Sequence, residues 1–510
     1  QLNAPKVFVF PELALCGYSP EDLLFREDFS IKINKSIDKI QNYIKSNEYL
    51  ILGAPRYSND FSKVYNSAFI INNKKLLDIY DKQFLPNYGV FDEKRYFDQG
   101  VKNTVISIEG NDIGILICED AWNLSSLYNN DLENIDFLIS INASPFEKGK
   151  DEKRKDYFKN VASRYKFNII YLNTVGGQDE IVFDGSSFIV NKKGEIINSC
   201  EAFSEENYNF SVVDGEFSKK SLYNYSKNRI DNKNELYQAV KIGTHDYIAK
   251  SNLNGVILGL SGGIDSALTL AIASDIFKKE DIEAVLLPSI FTSDLSIQLA
   301  KEQCEILKIN YSIISIKDIN NTTNKTLEKR FDGLKNDVTE ENIQARIRGL
   351  ILMSISNKTG KVLLTTGNKS ELAVGYSTLY GDMCGSFAPL KDLYKSEVYS
   401  LSKWRNEKSI VIPEAVIERM PTAELSYDQY DIDTLPPYNT LDKILKSFIE
   451  EKKSLDEICN MGHERNLVTK IINMVIGSEY KRRQYSPGVK VNIESFGRDR
   501  RFPIVSRFKY

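Results

Sequence analysis

The sequence predicts an α/β protein of two units: an α/β sandwich rich in strands, then a doubly wound parallel sheet. Three observations carry this reading. Up to about residue 212, short apolar runs alternate with polar, helix-like segments; the runs are Lys6–Phe10, Tyr49–Leu52, Ser67–Ile71, Asp112–Ile117, Phe137–Ile141, Ile169–Leu172 and Ser187–Val190. From about Asn232, longer helical stretches separate the runs Val256–Leu258, Ala284–Leu287, Tyr311–Ile316 and Val362–Thr365. Within that second half, Val256–Leu258 passes through a glycine turn into the helical run Ala267–Ala273. The polar stretch from Phe217 to Asn228 holds little that could be buried. The expected organisation is therefore a first domain over residues 1–212, a linker over 213–231 and a second domain over 232–510.

Bulk properties narrow the class. A chain of 510 residues is too long for one core. Its 42% apolar and 27% charged content is that of an ordinary globular protein. With 66 Lys and Arg against 70 Asp and Glu the net charge is −4, so no general attraction to nucleic acid or to an anionic membrane is expected. No apolar run approaches the ~20 residues of a membrane helix. The six cysteines are scattered without a C-x-x-C pair, which fits a reducing cytoplasm and argues against a disulfide framework or a zinc site. Only two histidines occur, His245 and His463, neither beside a nucleophile motif. Covalent chemistry here needs a different base.

In the first half, three residues fall where strands end. Glu12 follows Phe10-Pro11, Lys82 follows Asp81, and Cys118 closes the run Ile115-Leu116-Ile117. An amide carbonyl can be attacked by a thiolate at Cys118. Glu12 can take its proton if burial raises the carboxyl pKa. Lys82, helped by the Glu119 backbone N–H, can hold the developing oxyanion. Glu93 can anchor the lysine or serve as a second carboxylate.

In the second half, Gly259-Leu260-Ser261-Gly262-Gly263-Ile264-Asp265-Ser266 forms an anion cradle. Its glycines admit phosphate to backbone N–H groups, and the helix start adds partial positive charge. It lacks the lysine of a Walker A loop and carries Asp265 instead. A helix opening at Thr339 has a buried stripe at Ile343, Ile347, Leu350 and Ile351, which leaves Asn342, Arg346 and Arg348 partly free for ligand. Leu363 to Glu371 leaves a strand at its C-terminal end, where such sheets bind ligands.

The Glu12, Lys82 and Cys118 segments resemble the glutamine-hydrolysing branch of the nitrilase/amidase superfamily, which implies a nitrilase-like αββα sandwich. The S-G-G-x-D-S run resembles the pyrophosphate loop of enzymes that split ATP into AMP and pyrophosphate, which implies an adenine nucleotide alpha-hydrolase-like sheet. In this order in one chain, the two resemble the glutamine-dependent NAD+ synthetase family. The resemblance implies L-glutamine bound by Tyr88, Glu93, Ser144 and Lys150, with Lys150 on the carboxylate. It implies ATP contacted by Gly259 to Ser266 and Thr366, deamido-NAD+ by Asn342, Glu371, Asp382 and Lys481, and Mg2+ held by Asp265 and Glu371. It also implies a homo-oligomer. Another ATP-pyrophosphatase amidotransferase and a non-catalytic nucleotide-binding regulator are the alternatives. The passage from Gln1-Leu2-Asn3 to Ala4-Pro5 lacks the helix that the family places before the Glu12 strand, so a break between Asn3 and Ala4 is expected.

Overall fold

The computed structural model describes residues 4–218, 231–427, 429–506 and 508. These divide into two compact units, one holding residues up to Gln178 and from Val182 to 218, the other holding 179–181 and everything from Asp231 onward. The expected break at Asn3–Ala4 lies outside the described residues.

The first unit is built on two sheets. In one, β1 (Lys6–Val9), β2 (Glu48–Tyr57), β3 (Val64–Asn72) and β4 (Lys75–Asp81) lie in that order, β1 parallel to β2 and the rest antiparallel. The other contains β5 (Thr104–Ile108), β6 (Asn111–Ile117), β7 (Phe137–Asn142) and β8 (Asn168–Asn173). After the short pair β9 (Val175–Gln178) and β10 (Ile181–Asp184), β11 (Phe188–Val190) and β12 (Ile196–Ser199) complete it in the order β12-β11-β8-β7-β6-β5. Its centre, β6-β7-β8, is parallel.

The sheets share one core. Ile51, Ala68, Ile70 and Tyr80 pack with Ile115, Ile117, Ile139 and Ile141. Outside the first sheet the helix Glu27–Gln41 lays Ile33 and Ile37 on Leu50, Leu52 and Phe69. Outside the second, the helix Lys150–Tyr165 contributes Phe158, Val161 and Ala162. The result is an αββα sandwich. The runs read in the sequence fall on seven of these strands, and the placing of Lys82 after a strand implies β4; β5, β9, β10 and β12 are not among them. β13 (Val212–Val213) and β14 (Glu216–Phe217) form a further small hairpin. Phe217, counted in the expected linker, is buried against Phe137 and Phe210.

The second unit centres on a parallel sheet of order β17-β16-β15-β18, from β15 (Val256–Gly259), β16 (Ile282–Leu286), β17 (Asn310–Ile313) and β18 (Val362–Leu364). The chain winds outward from β15 to β17, then returns to add β18 on the other side of β15. Strand order therefore reverses between β15 and β18, and the crevice beyond their C-terminal ends is where such sheets take ligands. The helix Val338–Thr359 covers one face through Ile343 and Ile347, whereas Leu350, expected on the same stripe, is exposed. A helical cluster, Tyr438–Ile449, Leu455–Asn460 and Arg465–Gly477, has its own core around Leu441, Leu445, Ile472 and Val475. Among the described residues no helix is long and apolar enough to cross a membrane.

Candidate active sites

In the first unit Glu12, Lys82, Glu93 and Cys118 come together, all buried. Glu12 sits on a turn after β1 that packs close to β2; a Cβ on Gly53 would lie 2.2 Å from the Pro11 carbonyl, so only glycine fits there. The Lys82 ammonium donates to Glu12 Oε1 at 2.7 Å and to Glu93 Oε1 at 2.8 Å. Asn66 Nδ2 also donates to Glu12 Oε1, and the Ala143 backbone N–H to Oε2, both at 2.7 Å. The Tyr18 hydroxyl donates to Glu93 at 2.8 Å.

Cys118 ends β6 at φ +47° and ψ −100°, a left-handed conformation unusual for a side-chain-bearing residue. Its N–H donates to the Ile141 carbonyl at 3.0 Å, which holds the elbow in place. Burial, reinforced by the Glu12 carboxylate, pushes the thiol well above its usual range, and Lys82 opposes this. Burial alone would lower the Lys82 pKa, but Glu12 and Glu93 hold it well above its ordinary value. Burial also drives Glu93 up, to about 7, against the pull of Lys82. The lysine is thus a fixed cation, and the cysteine a thiol whose proton must be taken by a neighbour. Removing the cation leaves two carboxylates buried and uncompensated. Lys82→Ala is expected to cost this unit about 3–5 kcal/mol, read as an earlier midpoint in denaturant unfolding.

Of the residues expected to hold an amino-acid substrate, Tyr88 is exposed and donates from its hydroxyl to Glu119 Oε2 at 2.9 Å. Ser144 is buried, its N–H donating to Asn173 Oδ1 at 2.8 Å, one residue from the Ala143 N–H on Glu12. Lys150 begins its helix half-buried, and burial followed by the nearby Arg154 lowers its pKa.

The second site is a cavity of about 270 Å³ beyond β15 and β18, lined by Ser261, Asp265, Thr366, Asn368, Glu371 and Lys395 among others. Its floor is the glycine loop. Gly262 has φ +78°, and a Cβ there would sit 2.3 Å from the Ser296 carbonyl. The Ser266 hydroxyl donates to the Gly263 carbonyl at 3.0 Å and accepts from the Ser261 N–H at 3.2 Å, which braces the turn. The helix Ile264–Ser274 starts here, so its unpaired N–H groups face the cavity end of the sheet. Gly259 and Leu260 serve as backbone; the Leu260 N–H donates to Val285.

Above the loop, Lys395 Nζ donates to Asp265 Oδ2 at 2.5 Å and to Glu371 Oε1 at 2.9 Å. Asn368 donates to Asp265 Oδ1 at 2.8 Å while its Oδ1 caps the next helix at the Glu371 N–H. Burial, opposed by Lys395 and aided by Asp265 and Asp431, raises Glu371 to about 7. Two hard carboxylates already converge on one cation, a donor set that suits Mg2+ as well as an ammonium. Among the described residues no group of three or more His, Cys, Asp or Glu is arranged to hold a metal. Any further oxygens would come from phosphate and water.

Asp382 lines the cavity and accepts from the Thr378 N–H at 2.6 Å. Asn342 and Lys481 stand behind the wall. Asn342 Oδ1 accepts from the Thr378 hydroxyl at 2.7 Å, and Lys481 Nζ donates to the Gly375 and Ser377 carbonyls at 2.6 Å each. Both thus brace the loop that carries residues 375–378. Sequence reasoning missed Lys395 and Asp431. Lys395 opens a helix after Tyr394, where a lysine reads as a solvated end; only its burial between two carboxylates marks it.

Residues 3–224 match the family model for carbon-nitrogen hydrolase, and residues 236–485 match the one for NAD synthase. The glutamine-dependent NAD(+) synthetase of Acinetobacter baylyi is 42% identical over 505 residues, covering 99% of this chain and 92% of that protein. The chain belongs to the glutamine-dependent NAD(+) synthetase family. The synthetase of Thermotoga maritima is 40% identical over 539 residues, covering 99% and 93%. Among solved structures, the glutamine-dependent NAD+ synthetase of Acinetobacter baumannii, in complex with ADP, aligns at a TM-score of 0.77 with 41% identity, covering 98% of this chain and 91% of that one. The synthetase of Cytophaga hutchinsonii aligns at a TM-score of 0.83 with 23% identity, over 98% and 92%, and supports the fold.

Proposed function

We propose that this chain amidates deamido-NAD+ to NAD+ at the cost of ATP, with ammonia released from glutamine in its first unit and passed internally to its second. Family membership over nearly the whole length supports the overall reaction. The observation that carries the reading is that one chain holds both a buried Glu12–Lys82–Glu93 network around the Cys118 elbow and a glycine loop with Asp265, Lys395 and Glu371 at the switch point.

In the first site Glu12 takes the Cys118 proton and the sulfur attacks the glutamine amide carbon. Lys82 Nζ and the Glu119 N–H stabilise the oxyanion. Ammonia leaves with a proton returned by Glu12, and water releases glutamate. Tyr88, Ser144 and Lys150 would hold the amino-acid end. In the second, the nicotinate carboxylate attacks the ATP α-phosphorus, giving an acyl-adenylate and pyrophosphate, and ammonia then displaces AMP. The loop N–H groups and Lys395 balance the charge of the pyrophosphate. Asp265 and Glu371 would hold Mg2+, which when bound neutralises the phosphates further. Asn342, Glu371, Asp382 and Lys481 would contact deamido-NAD+, Asn342 and Lys481 from the loop that they brace. Coupled sites suit the chemistry, since free ammonia at neutral pH is mostly protonated and unreactive.

The same reading carries the boundary within 213–231, a homo-oligomer and a cytoplasmic location. The test is a product assay with ATP, glutamine and deamido-NAD+. AMP, pyrophosphate, NAD+ and glutamate are expected; ADP and phosphate would exclude adenylation. Amidation of a different carboxylate is disfavoured by the full-length likeness, and a non-catalytic regulator by the intact side chains of both sites.

A further inference from the structure

Asp120 lies two residues beyond Cys118 and is fully buried. Its hydrogen bonds come from three uncharged groups. The Phe84 N–H donates to Oδ1 at 2.6 Å and the Gln83 N–H at 3.1 Å, with a second approach of the latter to Oδ2 at 3.3 Å. The Tyr80 hydroxyl donates to Oδ2 at 2.8 Å. All three donors flank Lys82.

Lys82 leaves the end of β4 in the first sheet. Its own N–H still reaches the Asn66 carbonyl at 2.8 Å, but Gln83 and Phe84 have run off the sheet and find no strand partner. Both residues are half-buried, and N–H groups shielded from water need an acceptor. Asp120 supplies it, from the one-turn helix Glu119–Trp122 that follows Cys118 on the second sheet. That turn is fixed in its own right by the Ala121 N–H on the Cys118 carbonyl at 3.0 Å. One carboxylate therefore ties the turn bearing the sulfur to the backbone bearing the ammonium, across the gap between two sheets.

We propose that Asp120 is a positioning residue that sets Lys82 against Cys118. The inference rests on reading Cys118 as the nucleophile. Lys82 can stabilise an oxyanion only from the right distance, and an error near 1 Å in such a group costs about 10²-fold in rate. The geometry needs an acceptor oxygen rather than a charge. Burial pushes Asp120 up to about 7, with the Phe84 and Gln83 N–H groups, Lys82 and Tyr80 pulling it down. An amide carbonyl in its place could still accept from Gln83 and Phe84.

The experiment uses the full chain and follows NAD+ formation with glutamine and, separately, with ammonium chloride. Asp120→Ala is expected to lower the glutamine-driven kcat by about 10²-fold, with the glutamine KM and the ammonia-driven rate changed by less than about threefold. Asp120→Asn is expected to recover most of the loss, to within about fivefold of wild type. Alkylation of Cys118 by iodoacetamide should slow in the alanine variant, its pH profile moving upward as the thiolate loses Lys82. An unchanged kcat in Asp120→Ala, a loss confined to KM, or an equal loss in the ammonia route would overturn the proposal. Should the alanine variant not fold, Tyr80→Phe removes one donor from the same carboxylate; it should lower the glutamine-driven kcat several-fold at constant KM, and a wild-type kcat would overturn the proposal. The nucleophile reading fails on a different result, glutamine-driven synthesis surviving Cys118→Ala.

Discussion

Cys118→Ala is expected to remove glutamine-driven NAD+ formation, by about 10⁴-fold or more, as loss of a covalent nucleophile does. Synthesis from ammonium chloride should persist within about twofold, because acyl activation asks nothing of this sulfur. The variant should fold. Alanine deletes one buried thiol beside Ala121 and Ile117, and the elbow is held by the Cys118 N–H on Ile141, a backbone bond that any residue keeps. The sulfur has no other role visible in its surroundings. Burial pushes its thiol pKa well up, within reach of the charges of Glu12, Lys82 and Glu93, and it is not a disulfide partner. The measurement is NAD+ appearance with each nitrogen source. Loss of both routes in a folded variant would mean that the two chemistries are not separable, and the assignment of a distinct glutaminase site would fall.

Much of this was legible in the sequence because strand ends are legible. Cys118, Lys82 and Glu12 could be picked out because each closes or follows an apolar run, and a sheet brings strand ends together. The glycine loop was legible for a similar reason: strand, Gly-Gly and helix in succession leave few geometries open. What stayed hidden were residues whose meaning depends on distant partners. Lys395 is an ordinary helix-opening lysine until Asp265, 130 positions away, and Glu371 close around it. Asp120 reads as the acidic first turn of a short helix, and only folding reveals that its donors come from Gln83 and Phe84. Phe217 reads as linker because its neighbours are polar, yet two aromatic rings bury it. Lys481 reads as part of a basic run suited to a polyanion; that its ammonium also holds two loop carbonyls shows only in the fold.

Asp265→Asn is expected to lower kcat by about 10²-fold with glutamine and with ammonia alike, since both routes need the acyl-adenylate. Asparagine keeps the shape, so the Asn368 contact and the helix start survive, but one of the two negative charges around Lys395 is gone. Glutamine hydrolysis in the first unit, measured as glutamate release, has no chemical reason to fail. The pH profile gives a second readout. Glu371 is raised to about 7 by burial first, with Lys395 opposing and the charges of Asp265 and Asp431 adding to the rise. If its ionised form is the working one, synthesis is lost as pH falls through that value, so the acid limb of the ammonia-driven rate, taken at a fixed concentration of unprotonated ammonia, should lie near neutrality. Neutralising Asp265 removes one of the like charges and leaves Lys395, and Mg2+ where it is bound, to Glu371 alone. Both changes favour the carboxylate, so the residual activity of Asp265→Asn should keep its acid limb at lower pH than wild type. A limb that stays in place, or moves to higher pH, would show that Glu371 is not the group whose ionisation the synthetase site requires.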